Sequence, residues 1–336
     1  MPKIDWSKLG FEYTPAAYHA RSTYKNGKWG PLKLSRKHEI SMSIAATCLH
    51  YGQACFEGLK AFRGKNGKVR IFRPKENMKR MNDTANYLHC PEIPEKIFIG
   101  AVKEAVKKNI DFVPPYGTGG SMYIRPLLIG TGSRIGVAPA DQYDFVVLVV
   151  PVGAYYKGNI KPVDAIIMED FDRAAPHGTG HIKTAGNYGA GLHANIIAKK
   201  MGFPIVLYLD SKSRQYVDEF GTSNFIGITK NGNYITPDSR TILPSITNKS
   251  LMQLAKDMGI PVERRPIAFK EIADFAEIGA CGTAVVITPI GRIVYADKTL
   301  EYDRAKCGPV LKKLYDELTG IQYGEIPDRH GWLMDL

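Results

Sequence analysis

Along residues 69–73, Val-Arg-Ile-Phe-Arg, apolar and charged positions alternate with the period of two that sends successive side chains to opposite faces of a strand. Pro74 then opens an amphipathic helix to about Leu88, because proline in the first turn gives up only an amide that has no helical partner. Pro94 opens a second helix, with Ile97, Ala101, Ala105 and Val106 spaced for one buried face. Strand-like runs follow at 121–129 and 144–150, and the almost wholly apolar second run predicts burial on both faces. Residues 151–162, rich in proline, glycine and polar groups, mark a linker. Beyond it the pattern predicts strands at 163–168 and 204–209, a helix at about 188–201, and short strands and turns to Pro237. Helices are expected near 246–258, 270–277 and 304–318. The fold class read from this is α+β, or mixed α/β, in two domains at 1–150 and 163–336.

Composition narrows the function classes. With 44% hydrophobic and 23% charged residues the chain is not of the disordered type. Its longest apolar stretch, 145–156, is too short to span a bilayer and contains Pro151 and Gly153. The N-terminal residues lack the apolar core of a secretory signal, so a cytoplasmic protein is expected. The formal net charge is +12, yet basic residues such as Lys103, Lys107, Lys108, Lys199 and Lys200 are scattered along the chain. That distribution reads as solvated helix faces, not a nucleic-acid surface, and it suits small anionic ligands. The five cysteines (48, 55, 90, 281 and 307) include no Cys-x-x-Cys pair, so neither a disulfide framework nor a metal site is expected.

The chemistry concentrates in four places. Residues 178–191 form a glycine-rich segment with one lysine, Lys183. A lysine that binds an aldehyde cofactor as a Schiff base needs close approach by a flat ring and must shed its proton. An incidental lysine in a glycine-rich loop fits the same segment. Glu219 follows a strand-like Tyr216-Val217 and is suited to hold a proton on a pyridine nitrogen, or is simply a turn glutamate. Ser245 is placed to cap a helix whose first amides, from Ile246 and Thr247, would face an anion, although plain capping accounts for it equally. Residues 279–284, Gly-Ala-Cys-Gly-Thr-Ala, form a small-residue turn that opens backbone N–H groups to a charged ligand.

Taken in order and spacing, the stretches 51–63 (YGQACFEGLKAFR), 72–81, 122–130, 150–156, 183–189 (KTAGNYG), 219–226 (EFGTSNFI), 242–247 (ILPSIT) and 282–284 resemble the branched-chain aminotransferases. These are fold-type IV pyridoxal-phosphate enzymes, and the likeness covers most of the chain. It implies two domains with pyridoxal 5'-phosphate at their interface. It also implies reversible transamination between leucine, isoleucine or valine and 2-oxoglutarate.

Residue by residue, the resemblance makes Lys183 the cofactor-bearing lysine and the carrier of the Cα proton. Tyr188 matches the partner of the cofactor's phenolic oxygen, and Glu219 that of its ring nitrogen. Arg80, Ile246, Thr247 and Thr283 match the phosphate site, while Arg173 and Thr222 match pocket-lining positions. Phe11, Tyr51, Phe56, Tyr123 and Ala284 match the substrate-pocket walls, and Arg125 the arginine for glutamate's distal carboxylate. Ile135, Gly136 and Val137 match a loop that enters the neighbouring subunit's site, which implies a homodimer. D-amino-acid aminotransferase and aminodeoxychorismate lyase, siblings within the fold, fit the long N-terminal region and its aromatic set less well. In one respect the chain departs from the pattern: where some members carry a redox-active Cys-x-x-Cys pair, it has Val285 and Thr288.

Overall fold

A computed structural model of the chain describes residues 4–154 and 160–336. They form two compact units: Met1–Tyr155 with Ile182–Ala185 and Ile321–Leu336, and Tyr156–His181 with Gly186–Gly320. Two pieces of the sequence's second half therefore fold with the first unit, and Lys183 is in one of them. The expected linker, 151–162, begins inside the strand Gln142–Val152, and its residues 155–159 lie outside the described residues.

The first unit is built on a nine-stranded sheet. Its order is Leu333–Asp335, Val69–Phe72, Leu59–Arg63, Ser121–Gly130, Gln142–Val152, His19–Lys25 and Lys28–Trp29. Ala54–Phe56 pairs beside Ser121–Gly130, and Lys33–Ser35 beside His19–Lys25. Gln142–Val152 is buried almost throughout, as its apolar run predicts. The helix Glu95–Lys108 lays Phe98, Ala101, Val102, Ala105 and Val106 against this sheet, with Phe98 stacked on Phe145 at 5.6 Å. Ile97 is only partly buried, since Phe98 takes the place on the helical stripe that the sequence reading gave to it. Burying a phenylalanine of this kind contributes roughly 2–3 kcal/mol. Arg73 adopts a left-handed φ of 46°, which turns the strand Val69–Phe72 into the helix Pro74–Tyr87.

In the second unit six strands close on themselves. The path runs Val217–Phe220, Ile205–Leu209, Val163–Ile167, Val286–Tyr295, Phe275–Gly282 and Ser223–Thr229. Ser223–Thr229 then pairs back onto Val217–Phe220. Closure of this kind removes the open edges that strands otherwise expose. Tyr234–Pro237 and Val262–Arg265 extend the sheet from Ser223–Thr229. Leu207, Val217, Phe225, Ile278, Ile290 and Ile293 belong to its core.

Three sequence expectations are corrected here. The helix expected at 188–201 is two helices, Ala185–Ala190 and Leu192–Lys200, in a stretch weakened for helix by Gly186, Gly189 and Gly191. The helix expected at 270–277 is a 3-10 turn, Phe269–Asp274, followed by the strand Phe275–Gly282. Pairing of Phe275 and Glu277 with Ser223–Thr229, continued by the pairing of Gly279–Gly282 with Val286–Tyr295, overrides the local helical tendency. The helix expected at 304–318 runs later, Pro309–Tyr323.

Candidate active site

Within the first unit, residues 182–185 lie along the strand Ala54–Phe56. The Phe56 N–H donates to the Lys183 carbonyl at 3.2 Å, Cys55 and Thr184 form an antiparallel bridge, and Thr184 Oγ1 donates to the Ala54 carbonyl at 3.1 Å. From the helix Pro74–Tyr87, Thr84 Oγ1 accepts the Lys183 N–H at 3.1 Å. The backbone of the lysine is therefore held from two elements, and its Nζ stands 4.9 Å from the centroid of the Phe56 ring. The Arg125 guanidinium meets the same ring at 4.6 Å, contacts the Tyr123 ring at 5.1 Å, and donates from Nη2 to Tyr123 Oη at 2.8 Å. Arg125 Nε is buried without a hydrogen-bond partner among the described residues. Phe11 packs edge-on against Tyr123 at 5.1 Å. Gly58 has no room for a side chain, because a Cβ there would collide with Tyr123 Oη.

Phe11, Phe56, Tyr123, Arg125 and Lys183 thus share one neighbourhood in the first unit. Tyr51 ends the short helix Thr47–Tyr51, and it is exposed, as are Ile135 and Val137. Arg80, on the helix Pro74–Tyr87, is buried in a two-pronged ion pair with Glu57: Nε to Oε1 at 2.7 Å and Nη2 to Oε2 at 2.7 Å. Burial pushes the Glu57 carboxyl up, but the Arg80 charge and hydrogen bonds, Lys183 and Asn77 outweigh it and hold the group below its ordinary pKa.

Within the second unit, Glu219 faces Asn224 across the hairpin whose turn is Gly221 and Thr222, and Thr222 is exposed. Glu219 is buried and accepts from Asn224 Nδ2 at 2.5 Å and from the Leu243 N–H at 3.0 Å. Arg173 Nη2 lies 2.5 Å from Glu219 Oε1. Desolvation dominates here and pushes the Glu219 pKa up to about 7, against the pull of Arg173, the Leu243 amide and Asn224. Arg173 also donates to the carbonyls of Thr241 and Gly180, the latter at 3.1 Å, so it ties the glycine-rich segment to the carboxylate. Gly180 allows this close approach, since a Cβ would collide with the Thr241 carbonyl oxygen.

Ser245 caps the helix Ile246–Asp257, its Oγ accepting the Asn248 N–H at 3.2 Å. Helix geometry leaves the amides of Ile246 and Thr247 without an intrahelical acceptor. Thr283 and Ala284 occupy the turn between Phe275–Gly282 and Val286–Tyr295, and Tyr188 is half-buried on the helix Ala185–Ala190.

Three polar residues escaped sequence reasoning: Glu57, Thr84 and Asn224. Glu57 carried a signal, because a carboxylate inside an otherwise apolar strand region needs a buried partner. Thr84 and Asn224 carried none.

A pyridoxal phosphate needs an amine, an acid for its ring nitrogen and a cradle for its phosphate. In the first unit Lys183 offers an amine beside an aromatic face, and in the second Glu219 offers a buried carboxyl with three partners; each by itself suits that chemistry. In the second unit the amides opening the helix Ile246–Asp257 suit a phosphate, and in the first unit the guanidinium of Arg80 has the chemistry for one as well.

The family model for amino-transferase class IV matches residues 54–293. A branched-chain-amino-acid aminotransferase of Haemophilus influenzae is 45% identical over 343 residues, with all of both chains covered. The branched-chain amino acid aminotransferase of Escherichia coli superposes with a TM-score of 0.78 at 26% identity, covering 95% of this chain and 98% of that one. The corresponding enzyme of Thermobaculum terrenum, in its PLP-bound holo-form, shares the fold with a TM-score of 0.80 at 23% identity over 96% and 98% of the two chains. Sequence likeness along the whole chain and the fold agree, and the chain belongs to the class IV aminotransferases, among the pyridoxal-phosphate-dependent branched-chain enzymes of that family.

Proposed function

We propose that this chain moves amino groups reversibly between leucine, isoleucine or valine and 2-oxoglutarate, with Lys183 carrying the cofactor. The observation that carries this reading is the setting of Lys183, its backbone hydrogen-bonded to Phe56 and Thr84 and its Nζ over an aromatic ring. Bound pyridoxal phosphate supplies an aldehyde for the amino group and a ring that accepts the electron pair left at Cα. Lys183 Nζ would hold the cofactor's aldehyde and, when released from it, would take up and return the proton of the substrate Cα. Glu219 keeps the ring nitrogen protonated, and Tyr188 bonds the phenolic oxygen. Arg80, Thr283 and the amides of Ile246 and Thr247 bind the phosphate, with Thr222 and Arg173 lining the pocket.

The two substrates make opposite demands. Phe11, Tyr51, Phe56, Tyr123 and Ala284 offer apolar walls to a branched side chain. Arg125 receives the distal carboxylate of glutamate or 2-oxoglutarate as a forked donor. The unpaired Nε and the aromatic faces around its guanidinium favour that role, since among the described residues the group is oriented by aromatic rings and Tyr123 Oη.

A homodimer and a cytoplasmic location complete the reading. The loop at 135–137 joins the segment at 44–51 through the Arg134 N–H to Ala45 carbonyl bond at 2.8 Å and the Ala46–Ser133 bridge. Together they expose Ile44, Leu49, Tyr51, Ile135 and Val137, an apolar set suited to a second copy. All five cysteines are unpaired, as suits a reducing compartment. No described helix is long and apolar enough to cross a membrane.

The test is a panel of amino donors with 2-oxoglutarate as acceptor. L-leucine, L-isoleucine and L-valine should turn over and D-alanine should not. Preference for D-alanine, or release of pyruvate from aminodeoxychorismate, would move the chain to one of the sibling activities.

A further inference from the structure

We propose that Glu57 is a positioning residue, one that aims Arg80 and balances the charge felt by Lys183; the proposal rests on the roles given above to those two residues. The Glu57 side chain is fully buried, and Arg80 grips both of its oxygens at 2.7 Å. Asn77 Nδ2 adds a bond to Oε2 at 2.7 Å, the Gly58 N–H approaches the same oxygen at 3.2 Å, and the Glu57 amide is fixed to the Pro126 carbonyl at 2.8 Å. Asn77, Arg80 and Thr84 recur at helical spacing on Pro74–Tyr87, so one face meets Glu57 twice and the Lys183 amide once.

A merely structural role explains this poorly. A buried ion pair is frequently no more stabilising than apolar residues of the same volume, because both charges must be stripped of water. Two of the guanidinium nitrogens are instead held in a fixed fork geometry, which orients the whole plane of Arg80. The carboxylate also senses the charge of Lys183, and the influence is mutual: an ionised Glu57 stabilises positive charge at the lysine nitrogen. Charged groups around Lys183 in this unit include Glu57, Arg80 on that carboxylate and Arg125 on the shared Phe56 ring, with Lys60 paired across the sheet from Tyr123. Removing Glu57 takes away a negative charge that acts on both Arg80 and Lys183.

The experiment compares Glu57→Gln, Arg80→Gln and the double variant as holoenzymes. It reads the affinity for pyridoxal 5'-phosphate by equilibrium dialysis, and the pH midpoint of the bound cofactor's visible absorbance change. Glu57→Gln should weaken the cofactor at least about tenfold, the equivalent of one lost charge-assisted hydrogen bond, and lower the midpoint. The double variant should bind no more weakly than Arg80→Gln alone, within about twofold, because Glu57 acts through Arg80. Additive losses, or a Glu57→Gln enzyme with unchanged affinity and midpoint, would overturn the proposal. Unchanged affinity in Arg80→Gln would remove the phosphate role of Arg80 and the proposal with it. Should Glu57→Gln not fold, Glu57→Asp decides: it keeps the charge on a shorter arm, so it should hold the midpoint while weakening the cofactor. Wild-type affinity in that variant would count against the proposal.

Discussion

Arg173 Nη2 lies 2.5 Å from Glu219 Oε1, yet burial still lifts the carboxyl pKa to about 7. Desolvation wins because the side chain is almost wholly shielded from water, and one arginine with two neutral donors does not restore what water gave. In the cofactor-free chain the folded state therefore holds a proton on Glu219 that the unfolded chain releases above its ordinary pKa near 4.5. The sign follows from linkage: the contribution to stability is largest at low pH and declines as pH rises from about 4.5 to 7, by about 3 kcal/mol. Glu219→Gln has no such proton. The Tm difference between cofactor-free wild type and this variant should thus shift against wild type between pH 5 and pH 7.5. A pH-independent difference would contradict the assignment.

With cofactor bound, the same substitution tests catalysis. Glutamine can still hydrogen-bond a ring nitrogen but does not keep it protonated. Glu219→Gln should bind pyridoxal phosphate and transaminate at least about a hundredfold more slowly, a loss of about 3 kcal/mol in the barrier. Turnover at the wild-type rate would refute this role.

Arg125 should separate the two substrates. Arg125→Met should raise the KM for glutamate more than the KM for leucine, since only glutamate brings a second carboxylate. Tyr123→Phe removes the 2.8 Å acceptor that orients Arg125 Nη2 and should have the same bias in weaker form. Equal losses for both substrates would make Arg125 structural.

What the sequence made legible follows from which forces are local. The alternation at 69–73, the proline-opened helices and the apolar run at 144–150 correspond to Val69–Phe72, Pro74–Tyr87, Glu95–Lys108 and Gln142–Val152. The segment at 270–277 differs from its expected helix because its end, Phe275 and Glu277, pairs with Ser223–Thr229, a strand far earlier in the chain that no local pattern reports. The positions of Lys183, Glu219, Arg80 and Arg125 were named from resemblance, but their partners were not. Thr84 lies 99 residues from Lys183 in sequence and Glu57 lies 23 from Arg80, and no periodicity reports such pairings. Placement of 182–185 in the first unit was likewise invisible, because it depends on hydrogen bonds to Ala54–Phe56.

Thiol control should be absent near the 279–284 turn. Cys281 is fully buried and its thiol is pushed well up by that burial, with the nearby Glu219 charge adding to it, so little reactive thiolate forms. Cys55 is buried as well, and its thiol is raised in the same direction. Mild peroxide should leave activity unchanged. A large loss restored by a thiol reductant, and absent in Cys281→Ser, would make Cys281 a redox sensor instead.

The central claim is that Lys183 carries the cofactor and the Cα proton. Borohydride reduction of the holoenzyme followed by peptide mapping tests it most directly. The label should fall on Lys183, and Lys183→Ala should take no label and show no multiple turnover. A label on Lys199, Lys200 or any other lysine, or a Lys183→Ala enzyme that still cycles, would contradict the account.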